Sequence, residues 1–154
     1  MPKQFSDLGI SAPIVKALTE LKIVVPTEIQ QKTIPLLLSN TTDLVGLAKT
    51  GTGKTAAFGL PILQLIDTDL PVVQAVILVP TRELGHQIFR NLEDFAKYLP
   101  QVSIAATCGG IPIKPQIERL SLPTHIVVAT PGRLIDLIQR KAINFRAMHL
   151  MKIG

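Results

Sequence analysis

The sequence has 154 residues, which is enough for one domain and leaves little room for a second. Apolar residues make up 47% and charged residues 18%, and this balance excludes an intrinsically disordered chain. The net charge of +5 agrees with a polyanionic partner without establishing one. Cys108 is the single cysteine, so we expect a small buried apolar side chain and a reducing, cytoplasmic compartment. No N-terminal run is long enough for a signal peptide or membrane span.

Two helices are predicted in the first forty residues. Ser11 is placed to cap the first, whose apolar positions recur at helical spacing, namely Ile14, Val15, Leu18 and Leu21. Thr27 opens the second helix. Thr27 and Gln30 also have the spacing of a capping box, in which both side chains bond helix-end N–H groups.

Four short, β-rich apolar runs follow, at residues 43–48, 72–80, 102–108 and 125–130. Helical stripes lie between the later runs, formed by Leu84, Ile88, Leu92 and Phe95 and by Leu134, Leu137 and Ile138. Strands that alternate with helices indicate an α/β fold with a parallel sheet. Ligands of such sheets bind beyond the carboxyl ends of the strands.

The segment AKTGTGKT, residues 48–55, follows the first predicted strand and opens a helix. Its glycines allow backbone N–H groups to face phosphate oxygens at the positive end of that helix. Lys54 can reach the β and γ phosphates, and the Thr55 hydroxyl can bind Mg²⁺, so a nucleoside triphosphate with magnesium is the expected ligand of this loop. The predicted loop residues are Ala48, Lys49, Thr50, Gly51, Thr52, Gly53, Lys54 and Thr55. The alternative is a glycine-rich turn with an incidental lysine.

The loop begins with Ala48 where many phosphate loops have glycine, and in this it resembles superfamily 2 helicases. PTEIQ at 26–30 lies upstream of the loop, and PTRELGHQ at 80–87, GG at 109–110 and TPGR at 130–133 follow the loop in that order. The ordered set resembles the N-terminal RecA-like domain of DEAD-box ATP-dependent RNA helicases. The resemblance implies a P-loop NTPase fold over residues 1–154, with adenine-recognition helices in 1–40 and the phosphate loop and RNA motifs in 41–154.

The resemblance also implies roles for single residues. Phe5 would pack on adenine, and Gln30 would read the adenine edge with Thr27 nearby. The residues that would grip the RNA backbone without reading bases are Pro80, Thr81, Arg82, Glu83, Gly109, Gly110, Thr130, Pro131, Gly132 and Arg133.

Each of these roles has a structural alternative. Phe5 can be a core anchor, and Thr27 with Gln30 can be a helix cap. Arg82 and Glu83 can form a solvated charge pair of little energetic value, and Arg133 can be a surface arginine. Thr130 and Pro131 are a good start for a helix, which is compatible with an RNA contact.

The sequence departs from the family at three places. Lys22–Ile23 stands where the family usually has glycine followed by tyrosine or phenylalanine, which removes an aromatic ring from the adenine side. Lys49 replaces a common glutamine, and Gly85 replaces the usual alanine.

Hydrolysis requires an acidic residue at the end of a further strand. None of the 11 acids follows the carboxyl end of an apolar strand except Glu83, which belongs to the PTREL motif. The family's Asp-Glu-Ala-Asp motif would follow a strand that begins near Met148, where this sequence reads AMHLMKIG and places Lys152 in an apolar strand.

We therefore expect an incomplete RecA-like domain without the second such domain, with exposed apolar faces and no complete catalytic set. It would bind nucleotide and RNA weakly at best and would not hydrolyse ATP alone. The alternatives are a non-catalytic nucleotide- or RNA-binding remnant and a P-loop kinase that uses Asp67 or Asp69.

Overall fold

The structure is a computed structural model that describes residues 1–39, 43–49, 51, 53–146, 148 and 150–153. The chain forms two compact units. The first comprises Met1–Leu65 and Asp94–Pro100, and the second comprises Ile66–Glu93 and Gln101–Gly154. Within the described ranges, no helix has the length and apolar character that crossing a bilayer requires.

The first unit is helical. It contains a short 3₁₀ helix, Phe5–Leu8, followed by α1 (Ala12–Glu20), α2 (Glu28–Ser39) and α3 (Lys54–Leu65). The predicted helix after Ser11 is confirmed, and its buried face is formed by Ile14, Ala17 and Leu18.

Helix α1 ends in a tight turn at one of the places where the sequence departs from the family. Lys22 has a φ of +62°, in the left-handed region where glycine is favoured. Its N–H bonds the Thr19 carbonyl at 3.0 Å, and the Ile23 N–H bonds the Leu18 carbonyl at 2.9 Å. These two bonds are those of a Schellman motif, which normally has glycine where Lys22 stands.

The second unit is a four-stranded parallel sheet with helices. Its strands are β1 (Ala75–Leu78), β2 (Ile104–Thr107), β3 (Ile126–Ala129) and β4 (Leu150–Ile153), in the order β2-β3-β1-β4. The helices are α4 (Arg82–Phe95), α5 (Lys114–Leu120) and α6 (Pro131–Gln139). The predicted α/β architecture with a parallel sheet is confirmed, and β4 lies where a strand near Met148 was expected.

The strands are aligned at their carboxyl ends. Leu78 of β1 pairs with Ala129 of β3, and Ala129 also pairs with Thr107 of β2. The segments that follow these three strands therefore begin at one edge of the sheet. Because every predicted RNA motif follows one of these strands, the register alone brings the motifs together.

The core of the second unit lies against β1 and β3, whose side chains are almost wholly buried. On one face, Val76 and Val127 pack with Leu134 and Leu137 of α6. The stripe predicted on α6 is correct at these two positions and wrong at Ile138, which is 41% exposed because it lies on the outer face of the helix. The stripe predicted on α4 is buried at Ile88, Leu92 and Phe95.

The strand predicted at residues 43–48 is wrong. Residues 43–49 have no regular secondary structure, and none of the described strands pairs with them. Val45 and Leu47 are 85% and 92% exposed. An apolar sequence of high β propensity forms a strand only where a neighbour accepts its backbone hydrogen bonds, and none of the four described strands does so for this segment.

Candidate functional site

The phosphate loop lies in the first unit, at the start of α3. Gly51 and Gly53 both have positive φ, at +82° and +83°, and α3 begins at Lys54. Lys54 is exposed and Thr55 is half-buried, so the ammonium group faces solvent at the helix N-terminus. Thr50 and Thr52 lie outside the described residues. Ala48 and Lys49 precede the turn without regular structure.

Gln30 connects the second helix to the phosphate loop. Its Oε1 accepts the Thr27 N–H at 2.9 Å, and the Gln30 N–H approaches Thr27 Oγ1 at 3.5 Å, so the capping box is present. Its Nε2 donates to the Gly53 carbonyl at 3.0 Å. A side chain at position 53 would overlap Nε2, so only glycine allows this approach. The buried amide of Gln30 therefore makes both the helix-cap bond and the bond to the phosphate loop.

An amide has two N–H donors and two acceptor lone pairs, so Gln30 retains one of each after these bonds. The side chain is only 3% exposed. It is therefore held in one orientation beside the loop, which is the geometry that a base-reading amide requires.

Phe5 lies in the interior of the first unit, with 2% of its surface exposed. It borders a cavity of about 100 Å³ together with Val15, Leu18 and Ile23. The burial favours the core-anchor alternative for the phenyl ring. Ile23, at the position where the family has an aromatic residue, contributes an aliphatic wall to the same cavity.

Three predicted RNA motifs emerge at the carboxyl edge of the sheet in the second unit. Residues 80–83 follow β1, residues 109–110 follow β2, and residues 130–133 follow β3. Since β3 is paired with both β2 and β1, its TPGR segment lies between the other two motifs. Most of these residues are exposed, and Gly109, Thr130 and Arg133 are half-buried.

Threonine hydroxyls organise the backbone of this edge. Thr130 Oγ1 accepts the Gly109 N–H at 2.9 Å and does not cap its own helix. Thr81 Oγ1 accepts the Leu84 N–H at 3.2 Å and thereby caps α4. The first N–H groups of α6, at Gly132 and Arg133, have no intrahelical partner. A Cβ added at Gly132 would meet no other atom within 4 Å.

Arg82 lies against the glycine pair. Gly110 has a φ of +89°, and a side chain there would come within 2.9 Å of Arg82 Nη1. Glycine at 110 therefore permits both the turn and the approach of the guanidinium. The Arg82–Glu83 pair is 3.9 Å apart with side chains 45% and 79% exposed, so it competes little for the guanidinium.

Arg133 is tied to the protein by two short hydrogen bonds. Nη1 donates to Gln116 Oε1 at 2.7 Å, and Nη2 donates to the Ile111 carbonyl at 2.7 Å. Gln116 in turn donates from Nε2 to the Cys108 carbonyl at 3.0 Å. The description of Arg133 as a simple surface arginine is therefore incomplete, because its guanidinium joins α6 to the segment after β2.

Sequence reasoning missed Gln116. The sequence does indicate a buried polar side chain here, because Gln116 has helical spacing with the apolar residues Ile113, Ile117 and Leu120, which pack on the core. A polar residue on such a stripe requires hydrogen-bond partners within the fold.

The predicted burial of Cys108 is confirmed, since the thiol is free and 1% exposed. Burial raises the pKa of the Cys108 thiol, and the nearby Arg133 and Arg82 only partly oppose this. The thiol is therefore protonated near neutral pH and is a poor nucleophile.

The acids of the kinase alternative lie elsewhere in the second unit. Asp67 and Asp69 precede β1, at its amino end, and Asp67 Oδ1 accepts the Asp69 N–H at 3.0 Å. The described residues contain no group of three His, Cys, Asp or Glu side chains able to hold a metal ion. Thr55 is thus the one predicted protein ligand for magnesium at the phosphate loop.

Comparison with known proteins agrees with this geometry. The DEAD/DEAH box helicase family model matches residues 27–152. The ATP-dependent RNA helicase DeaD of Escherichia coli (strain K12) is 44% identical over 140 residues, which are 91% of this chain and 22% of the relative. The DEAD-box ATP-dependent RNA helicase CshA of Streptococcus pneumoniae is 43% identical over 143 residues, or 93% of this chain and 27% of the relative. The chain therefore spans about a quarter of the length of these curated relatives.

Solved structures give the same result. S. cerevisiae Dbp5 bound to RNA and ADP BeF3 superposes with a TM-score of 0.88 at 28% identity, covering 98% of this chain and 38% of the other. A hypothetical ATP-dependent RNA helicase from Sulfolobus tokodaii superposes with a TM-score of 0.81 at 39% identity, covering 92% and 40%.

Proposed function

Because the chain belongs to the DEAD/DEAH box helicase family, we propose that it is the N-terminal RecA-like part of an ATP-dependent RNA helicase. It binds the nucleotide in its first unit and the RNA backbone in its second. The observation that carries the proposal is the meeting of PTRE, GG and TPGR at one edge of a parallel sheet. The whole protein couples ATP hydrolysis to local separation of short RNA duplexes, in the cytoplasm.

ATP is held by the loop before α3. The N–H groups at the start of α3, after Gly53, donate to the phosphates, and Lys54 neutralises the β and γ phosphates. Thr55 would supply a hydroxyl ligand for Mg²⁺, and the bound ion would offset the negative charge of the phosphates. Gln30 uses its remaining donor and acceptor for the adenine edge, with Thr27 fixing its orientation. Phe5 supports this pocket from the core.

RNA is held through its phosphates and sugars. The N–H groups at the start of α6, which have no intrahelical partner, donate to phosphate oxygens, and Arg82 adds a guanidinium beside the glycine pair. Since the contacts are to backbone atoms, binding is independent of base sequence. The bound RNA of S. cerevisiae Dbp5 supports RNA as the polyanion.

The 154 residues by themselves are expected to bind without turnover. Among the described residues, Glu83 is the one acid that directly follows β1, β2 or β3, and it belongs to the RNA motif. A carboxylate is needed to hold the metal and its water, so phosphate positioning alone leaves the reaction slow.

The nucleotide site is tested by titrating a fluorescent ATP analogue with magnesium against the chain. Lys54→Ala should weaken binding by about tenfold or more, because it removes a charged contact to phosphate. Lys32→Ala, which removes an exposed lysine from α2, should leave the affinity unchanged. Equal binding by the parent chain and Lys54→Ala would refute the site.

The RNA site is tested with labelled single-stranded RNA. Arg82→Ala should weaken binding and lower the slope of log K against log salt by about one, as loss of one phosphate contact predicts. Arg140→Ala is the matched control, because this arginine is exposed and paired with Asp136 at 2.8 Å. Equal losses for both variants would show non-specific attraction to a basic protein.

A further inference from the structure

Gln116 connects two parts of the proposed RNA surface through one side chain. Its Nε2 donates to the carbonyl of Cys108, the residue before the glycine pair, at 3.0 Å. Its Oε1 accepts from Arg133 Nη1 at 2.7 Å. The side chain is 6% exposed, and both ends of its amide are used. The segment after β2 is thereby fixed to the first turn of α6.

Arg133 is oriented by this arrangement. Its second terminal nitrogen is held by the Ile111 carbonyl at 2.7 Å, so two of its five N–H donors are fixed by protein acceptors. The remaining donors and the charge stay at a half-buried position beside Gly132. A guanidinium held in place does not lose rotamer entropy when it binds a phosphate.

We propose that Gln116 is a positioning residue for RNA-backbone binding and acts through Arg133. This role for Gln116 rests on the proposed RNA site. Gln116 does not touch the RNA. It aligns the Arg133 guanidinium before the ligand arrives, so that the phosphate contact of Arg133 forms without further ordering. A purely structural role would only satisfy buried polar groups and would not couple Gln116 to Arg133 in binding.

A double-mutant cycle on RNA affinity separates the two roles. The chain, Gln116→Met, Arg133→Ala and the double variant are titrated with a labelled oligouridine by fluorescence anisotropy, well below their melting temperatures. Gln116→Met should weaken binding by about three- to tenfold, the worth of one hydrogen bond. The double variant should bind like Arg133→Ala alone. Independent losses that multiply in the double variant would overturn the proposal.

The salt dependence gives a second readout. Arg133→Ala should lower the slope of log K against log salt by about one, since it removes a cation from the phosphate path. Gln116→Met should leave the slope unchanged, since the cation remains and only its orientation is lost. A reduced slope for Gln116→Met would contradict the proposal.

Controls keep the outcome decisive. Gln116→Asn keeps a buried amide that is too short to reach Arg133. It replaces Gln116→Met in the double-mutant cycle if the Met variant does not fold. Ile126→Val removes a buried methyl group at the amino end of β3 and should leave RNA affinity unchanged. If Gln116→Asn and Ile126→Val weaken binding equally, Gln116 is only structural. If the parent chain binds no RNA, the proposed RNA site itself fails, and this inference with it.

Discussion

Replacing Gly85 by alanine is expected to destabilise the protein, although alanine is the better helix former. Gly85 lies in the first turns of α4, and an added Cβ would be 2.5 Å from Cys108 Sγ and 3.1 Å from Val79 Cγ2. Alanine gains about 1 kcal/mol of helix propensity over glycine. Overpacking of this kind costs about 1–3 kcal/mol. The expected net change is a loss of about 1 kcal/mol in the free energy of unfolding.

The sign should reverse when the sulfur is removed. Cys108→Ala alone leaves a small void that costs about 1 kcal/mol. In that background, Gly85→Ala fills the void and keeps its helix propensity, so it should stabilise by about 1 kcal/mol. The coupling between the two positions is then about 2 kcal/mol, within the range for contacting residues.

Urea unfolding followed by far-UV circular dichroism measures all four proteins of this cycle. A Gly85→Ala change that stabilises the parent chain, or that has the same effect in both backgrounds, would refute the reasoning. The expected result explains why glycine stands where the family usually has alanine, because the sulfur of Cys108 occupies the space.

Three further predictions concern stability. Lys22→Gly should raise the free energy of unfolding by about 1 kcal/mol, because φ is +62° at this position. Lys22→Ala is the control and should not raise it. Equal urea midpoints for Lys22→Gly and the parent chain would contradict this prediction. Hydrogen bonds from Tyr98 and then Lys97 lower the pKa of Glu20. Glu20→Gln should therefore lower the free energy of unfolding at neutral pH, and this loss should vanish as pH falls through the folded pKa of Glu20. A loss that does not depend on pH would rule out this pairing. Burial lowers the pKa of His125, whose Nδ1 accepts the Ser103 N–H at 3.0 Å. Stability should decline as pH falls from about 6.5 through the lower folded pKa, and His125→Asn should flatten this decline in urea midpoints measured against pH.

The sheet and its motifs could be predicted from the sequence because several local signals agreed. The apolar runs around β1, β2 and β3 are β-rich and separated by helical stripes, so their type and order followed from periodicity. The parallel register then fixed the meeting of the three motifs without any side-chain detail. The helix starts at Ser11, Thr27 and Thr130 could also be identified from the sequence.

The failures have physical causes. Residues 43–48 have strand propensity but pair with none of the strands that the structure describes, and pairing is a tertiary property. Ile138 matched a helical stripe, but the direction of that stripe depends on which face the sheet covers. The left-handed turn at Lys22 and the packing of Gly85 on Cys108 depend on backbone angles and distances that no periodicity encodes. Gln116 showed a signal, a polar residue on an apolar stripe, but its partners were distant in sequence.

Amide chemical-shift mapping of the isotope-labelled chain tests the central claim most directly, because it locates each ligand by residue. Magnesium and a non-hydrolysable ATP analogue should shift the amides of Gln30, Gly53 and Lys54, in the first unit. Oligouridine should shift those of residues 81–83, 109–110 and 132–133, in the second. Nucleotide shifts centred on Asp67–Asp69, or RNA shifts absent from the carboxyl edge of the sheet, would contradict the account.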